Sequence, residues 1–150
     1  MRIAIGADHN GIAMKVHLTR WLTAEGHEVD DRGAHDTEIV DYPPLCADIG
    51  RQVVEGPAER GIVIGGTGGG EAIACNKIRG IRAGLCHSVF LAEISSAHNK
   101  TNVLVLGAKV ISPEEAVEIT SIWLTTPFKG ERHQQRLDQI AALERGESLA

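Results

Sequence analysis

The chain has 150 residues, a formal net charge of −5, 43% hydrophobic residues and only 3% aromatic residues. This length fits one domain over residues 1–150, and the acidic balance gives no general electrostatic footprint for nucleic acid. No stretch approaches the ~20 apolar residues of a membrane span, and the apolar start is too short for a secretion signal, so we expect a cytoplasmic protein with no membrane partner.

Strand-like and helix-like segments alternate from the first residue. The first half contains a predicted strand over Arg2–Gly6, a helix from Gly11 to about Glu25, a strand over His27–Asp31, a helix opened by Asp41–Pro44 and a strand over Gly61–Ile64. The second half contains a helix from Glu71 to Lys77, a strand over Ile81–Cys86, a helix from about Ser88 to His98, a strand over Asn102–Leu106, a helix from Ser112 to about Thr125 and a last helix from about Glu131 to Glu144. The predicted inner face of the first helix consists of Ile12, Val16, Leu18 and Leu22.

This alternation predicts an α/β fold with a parallel five-stranded sheet, right-handed crossovers and helices on both faces. In such folds, ligands bind outside the carboxyl ends of the strands. The loops after the first, third and fifth predicted strands carry Asp8 with His9, a glycine run at Gly65–Gly70, and Gly107–Lys109. We therefore expect a functional site where these three loops lie.

The glycine run has five glycines in six positions, between an aliphatic strand and a helix. Glycine lets backbone N–H groups approach an anion closely, and the following helix adds the positive end of its dipole. The run therefore predicts a site for a phosphate or for an oxyanion formed during a reaction. It lacks the Gly-Lys-Ser/Thr of a P-loop, and Glu71 stands where a dinucleotide fingerprint needs its third glycine.

Glu71 follows the glycine run directly. A carboxylate beside a nest of N–H groups has the parts of a proton-transfer site: a base for a C–H next to a carbonyl, and donors for the enediolate oxygen. Thr67 is a further donor for the same oxygens. Burial would raise the pKa of Glu71 and the helix dipole would lower it, and the sequence leaves that balance open. An acid that only complements the dipole of a helix is the alternative interpretation.

Taken together, the motifs resemble those of the ribose-5-phosphate isomerase B family, which includes the galactose-6-phosphate isomerase subunits. The resemblance covers almost the whole chain and depends on the order of the segments Gly6–Gly11, Asp41–Pro43, Gly65–Lys77, Gly80–Gly84, His98–Val110 and Gly130–Asp138. It implies a Rossmann-like α/β/α sandwich that isomerises aldoses and ketoses of carbohydrate and pentose phosphate metabolism. It also implies a homodimer or homotetramer with shared active sites, in which the last helix, about 131–144, packs on a partner subunit.

The resemblance also implies roles for single residues. One branch of the family uses a cysteine base where this chain has Gly65, and the other uses a glutamate that matches Glu71. His98 would open the sugar ring with Asn99 beside it, and Asp8 would contact sugar hydroxyls. The phosphate would be bound by His9, Arg132 and Arg136, with Lys109 at a position where the glutamate branch often has arginine. The developing oxyanion would be held by the amides of Gly66, Gly68, Gly69 and Gly70.

Other readings remain open at this stage. The substrate could be a tetrose 4-phosphate or a 6-phosphohexose, because chain length depends on a distance that no sequence reveals. A non-catalytic nucleotide- or phosphate-sensing module would also explain the glycine run, though not Glu71, Asp8 and His98. The chemistry needs no nicotinamide, and no motif indicates a metal. Residues without a predicted role in the site are His17, His27, His35 and His133, interpreted as surface or helix-end residues, His87, and three cysteines expected to be reduced and mostly buried, Cys46, Cys75 and Cys86.

Overall fold

Strands and helices alternate along the chain as predicted, and the computed structural model describes all residues 1–150. The five strands are β1 (Arg2–Ala7), β2 (Glu28–Asp31), β3 (Arg60–Gly65), β4 (Ala83–Leu85) and β5 (Val103–Gly107). The six helices are α1 (Ile12–Ala24), α2 (Tyr42–Val54), α3 (Gly69–Cys75), α4 (Val89–Ala97), α5 (Pro113–Thr125) and α6 (Arg132–Glu144). No helix is long and apolar enough to cross a membrane.

All strand pairs are parallel, and the strand order is β2-β1-β3-β5-β4. The predicted α/β/α sandwich with a five-stranded parallel sheet is therefore confirmed. Strands β1, β3 and β5 are neighbours in the centre of the sheet, so the loops that follow them lie side by side. The chain reverses its direction of progress at β1 and β3, which is where sheets of this type bind ligands.

Alternate residues of the central strands point to opposite faces of the sheet and form two cores. On β3, Ile62 and Ile64 belong to the core shared with α1 and α5, whereas Val63 belongs to the core shared with α2 and α3. Cys46, Cys75 and Cys86 are buried and free, as predicted. The pKa of the Cys46 thiol is raised well above its usual range by a hydrogen bond with Cys75 and by burial.

The predicted inner face of α1 is correct at Leu18 and Leu22 but wrong at Val16, which is 41% exposed. Met14 and Lys15 are buried in its place. The Lys15 Nζ donates to Asp31 Oδ1 at 2.7 Å and to the Ala34 carbonyl oxygen at 2.6 Å. Because its charge is paired in this way, a lysine is tolerated at a position that the hydrophobic pattern assigns to an apolar residue.

Helix α6 is held loosely by the rest of its own chain. His133 and Leu137 are its only buried residues, and the apolar side chains of Ile140 and Leu143 are about half exposed. The apolar stripe of this helix is therefore incompletely covered within one chain.

Candidate active site

Three loops meet at the carboxyl edge of the central strands, as the alternation of elements predicted. The Asp8 N–H donates to the Ile64 carbonyl oxygen at 3.0 Å, which joins the loop after β1 to the end of β3. The Lys109 N–H donates to the Gly66 carbonyl oxygen at 2.9 Å, which joins the loop after β5 to the glycine run. Asp8, the glycine run and Lys109 thus share one edge because their strands are adjacent.

Glu71 is buried in the first turn of α3, with 4% of its surface exposed. Its carboxyl group lies directly over Gly65, the last residue of β3. A Cβ atom at position 65 would lie 2.5 Å from Glu71 Oε2 and would overlap Oε1 and Cδ. Glycine at position 65 is therefore required by the glutamate at position 71. A side chain at position 65 and the Glu71 carboxyl group would compete for the same space.

The balance that the sequence left open is decided by burial, which raises the pKa of Glu71 above its ordinary value. A hydrogen bond to its own backbone N–H opposes this shift, and the carboxylate of Asp8 reinforces it by like-charge repulsion. Asp8 is itself buried and accepts hydrogen bonds from the Asn10 backbone N–H at 2.8 Å and from Asn10 Nδ2 at 3.1 Å. A carboxylate with a raised pKa is a better proton acceptor near neutral pH than an ordinary glutamate.

The glycine run presents unpaired backbone donors. The N–H groups of Gly66, Thr67, Gly68 and Gly70 donate to no acceptor in the chain, and that of Gly69 donates to Thr67 Oγ1 at 3.3 Å. Gly68 has a φ of +82°, and a Cβ atom there would lie 2.6 Å from Leu85 Cδ1. Free N–H groups at a helix start that cluster beside a carboxyl group form a place for an anionic oxygen.

Three residues that the sequence analysis did not assign to the site hold it in shape. His87 Nε2 lies 3.0 Å from the Thr67 carbonyl oxygen, to which it must donate because a carbonyl only accepts. The Tyr42 hydroxyl group lies where a side chain at Gly70 would be, and Asn10 fixes Asp8. Tyr42 could have been found from the sequence, because it lies in the motif Asp41–Pro43. No local sequence pattern connects His87 with Thr67.

The remaining predicted residues on the carboxyl edge are His9 and Lys109. His9 Nδ1 accepts a hydrogen bond from the Val40 N–H at 3.4 Å, so its ring faces the segment before α2. Lys109 is exposed, and its aliphatic chain passes next to Gly66 and Asn10. Both side chains therefore lie at the rim of the site.

His98, Asn99, Arg132 and Arg136 lie elsewhere, at the amino edge of the sheet. His98 ends α4, just before β5 begins, and the Lys129 N–H donates to the Ala97 carbonyl oxygen at 3.0 Å, which brings the start of α6 to the same place. Strand β5 separates this edge from the glycine run by roughly 13 Å at ~3.3 Å per residue. One chain thus holds two clusters of predicted site residues and does not bring them together.

The prediction that His133 is a surface or helix-end residue is correct about the helix end, since His133 is the second residue of α6, but wrong about the surface. His133 is 5% exposed, and its ring stacks on that of His98 with 4.0 Å between centroids and 14° between planes. The contact joins residues on different helices, α6 and the end of α4, so the spacing within one helix gave no sign of it. Arg132 and Arg136 are exposed on α6 next to this pair.

Comparison with known proteins gives consistent results over nearly the whole chain. The model of a family described as Ribose/Galactose Isomerase matches residues 3–140. Ribose-5-phosphate isomerase B of Escherichia coli (strain K12) is 41% identical over 143 residues, which cover 95% of this chain and 96% of that protein.

Solved structures agree. Ribose-5-phosphate isomerase B of Clostridium thermocellum has a TM-score of 0.96 and 41% identity, covering 99% of this chain and 100% of that one. The enzyme of Mycoplasma genitalium, solved with bound ribulose-5-phosphate, has a TM-score of 0.92 and 32% identity, covering 96% of each chain.

Proposed function

The chain belongs to the ribose/galactose isomerase family, and we propose that it interconverts ribose 5-phosphate and ribulose 5-phosphate by proton transfer through an enediolate. The relatives named ribose-5-phosphate isomerase B support this substrate pair, since one of them has ribulose-5-phosphate bound. The observation that carries the proposal is the Glu71 carboxyl group, buried beside four N–H groups that have no acceptor in the chain.

In this proposal Glu71 is the base. It takes the proton from C2 of the open-chain aldose and returns it to C1, while the hydroxyl proton passes between the two oxygens. The free N–H groups of the glycine run, together with Thr67, hold the oxygen that becomes negative in the enediolate. Preorganised donors of this kind typically contribute several kcal/mol to the transition state. The raised pKa of Glu71 supports its role, because it brings the base closer to neutral pH.

We propose further that each active site is shared between two copies of the chain in a homodimer or homotetramer. The base and the oxyanion donors lie at the carboxyl edge, whereas His98, Asn99, Arg132 and Arg136 lie at the amino edge. A second copy that presents its amino edge to the glycine run would complete the site. The charges are complementary, since acidic Asp8 and Glu71 would face a cluster of cations. The half-exposed Ile140 and Leu143 on α6 support packing of this helix, about 131–144, on a partner subunit.

The substrate phosphate is assigned to side chains from both copies. His9 and Lys109 come from the chain that supplies Glu71, and Arg132 and Arg136 come from the partner. Arginine binds phosphate in a bidentate manner, while Lys109 offers a point charge. Binding energy from this remote phosphate would position the reacting carbons over Glu71. Phosphorylated sugars are charged metabolites of the cell interior, so we place the enzyme in the cytoplasm.

The experiment that tests the function is a parallel assay of the EDTA-treated protein on ribose 5-phosphate, erythrulose 4-phosphate and allose 6-phosphate. We expect turnover of ribose 5-phosphate to exceed that of the other two. Faster turnover of the four- or six-carbon substrate would keep the isomerase and reject its five-carbon assignment. If the folded protein turned over none of them while ATP raised its Tm, a nucleotide-sensing module would replace the proposal.

A further inference from the structure

The imidazole rings of His98 and His133 are stacked, and His133 has no role in the proposed reaction. His98 is half-buried at the end of α4, and its own N–H donates to the Ile94 carbonyl oxygen at 2.8 Å. His133 lies in the first turn of α6, where its N–H donates to the Gly130 carbonyl oxygen at 3.0 Å. A side chain with only 5% of its surface exposed, lying flat against another ring, has little freedom to turn.

Burial and the charges around the pair disfavour a proton on His133. Burial lowers the pKa of His133, and so do the positive charges that face it: His98, Arg132, Arg136 and Lys129. Two imidazolium rings 4.0 Å apart would repel each other. A protonated ring over the face of a neutral ring is attracted to it, as other cations are attracted to aromatic faces. The arrangement therefore favours a neutral His133 stacked against His98.

Hydrogen bonds to backbone carbonyl groups fix the chain on both sides of the two rings. The Lys129 N–H bonds to the Ala97 carbonyl oxygen and so ties the chain before α6 to the end of α4. On the other side, Arg82 Nη2 donates to the Lys100 carbonyl oxygen at 2.8 Å, and Arg82 Nε donates to that of Asn99 at 3.2 Å. The turn that follows His98 is thus fixed independently of any substrate.

We infer that His133 is a positioning residue for sugar-ring opening: its buried ring holds the His98 imidazole in the orientation that protonates the ring oxygen. In that step the His98 proton goes to the ring oxygen and the C1–O4 bond breaks. The anomeric hydroxyl releases its proton to solvent as the aldehyde forms, and His98 regains one from solvent. This inference rests on the proposed function, because it concerns the cyclic form of the same substrate.

The test separates ring opening from isomerisation by removing the base. In a Glu71→Gln enzyme isomerisation falls to a small residual rate, yet ring opening and closing still exchange the α and β anomers of ribose 5-phosphate. That exchange is measured by saturation-transfer NMR above the spontaneous rate. In this background we expect His98→Asn to lose about 100-fold, as for a general acid, and His133→Ala to lose at least about tenfold through misplacement of His98.

His133→Phe is the matched control, because it keeps a flat ring without nitrogen atoms. We expect it to retain exchange within about threefold of the Glu71→Gln enzyme and to leave the pH dependence of exchange in place. Isothermal titration should show unchanged affinity for ribose 5-phosphate in both His133 variants. In the wild-type protein, the NMR signal of His133 should titrate below the ordinary range of a histidine, because the pKa of His133 is lowered.

Each contrary result has a distinct meaning. Full exchange in the His133→Ala variant would overturn the inference, and so would an equal loss in His133→Phe, since the nitrogens would then act directly. A weaker affinity in both variants would make His133 a phosphate ligand instead. If the Glu71→Gln enzyme did not accelerate anomer exchange although the wild type isomerised ribose 5-phosphate, neither His98 nor His133 would take part in ring opening. If the wild type isomerised nothing, the proposed function itself would fail.

Discussion

Gly65→Ala adds one methyl group at the point where the base lies. The new Cβ would overlap the Glu71 carboxyl group, of which even the farthest oxygen, Oε2, would be only 2.5 Å away. Ordinary contact begins at 3.4 Å, so the carboxyl group must move by at least 0.9 Å. A shift of ~1 Å in a catalytic group costs about 100-fold in rate, or about 2.7 kcal/mol. We expect kcat for ribose 5-phosphate to fall by about this factor with little change in KM, because the displaced group is the base and not a ligand of the phosphate.

The control is the same substitution in the Glu71→Gln background, measured as a double-mutant cycle by the formation of ribulose 5-phosphate. If Gly65→Ala acts by displacing Glu71, it should cause no further loss once the carboxylate has gone. The reasoning would be refuted if Gly65→Ala kept a third or more of wild-type kcat. It would also be refuted by an additional loss in the Glu71→Gln background as large as the loss in the wild type.

Four further predictions concern the base, the shared site, the phosphate and the loop. Because burial raises the pKa of Glu71 and the base acts when deprotonated, kcat should rise with pH through a midpoint above that of an ordinary glutamate; a midpoint at or below the ordinary value would contradict this. Mixing Glu71→Gln and His98→Asn subunits by refolding should restore about a quarter of wild-type activity, since half of the random dimers carry one intact site; no recovery would mean that both residues act within one chain. Arg136→Ala should raise KM about tenfold, as expected for a charged hydrogen bond to phosphate, and an unchanged KM would place the phosphate elsewhere. His87→Leu should lower kcat about tenfold through the loss of its bond to the Thr67 carbonyl oxygen, while His87→Gln, which can still donate, should lose less; equal losses would contradict that role.

Local patterns were sufficient for the elements of this fold. The aliphatic segments of β1, β3 and β5 are buried on both faces, so their composition reports their structure directly. Ser112 shows the same at a helix start, where its Oγ accepts from the Glu115 N–H at 3.1 Å in a capping box. The glycine run could also be interpreted from the sequence as an anion site, because packing alone seldom explains so many glycines between a strand and a helix.

Other features depended on contacts between distant parts of the chain, which no local pattern records. The hydrophobic pattern predicts that Val16 is buried, but Val16 is exposed. The neighbouring Lys15 is buried instead, and its charge is paired with Asp31 on β2. The pKa of Glu71 is raised because its carboxyl group is buried over Gly65 and lies near Asp8, and both contacts exist only in the folded chain.

The alternating fold, the glycine run and the types of residue that the chemistry needs follow from the order of amino acids alone. Where those residues lie relative to one another follows from the packing of the folded chain. The strand order makes neighbours of β1 and β3, which brings Asp8 to Glu71. It leaves His98 at the opposite edge, because each crossover helix must return to the amino end of the sheet before the next parallel strand begins. The stacking of His98 on His133 likewise exists only once α6 docks against the end of α4.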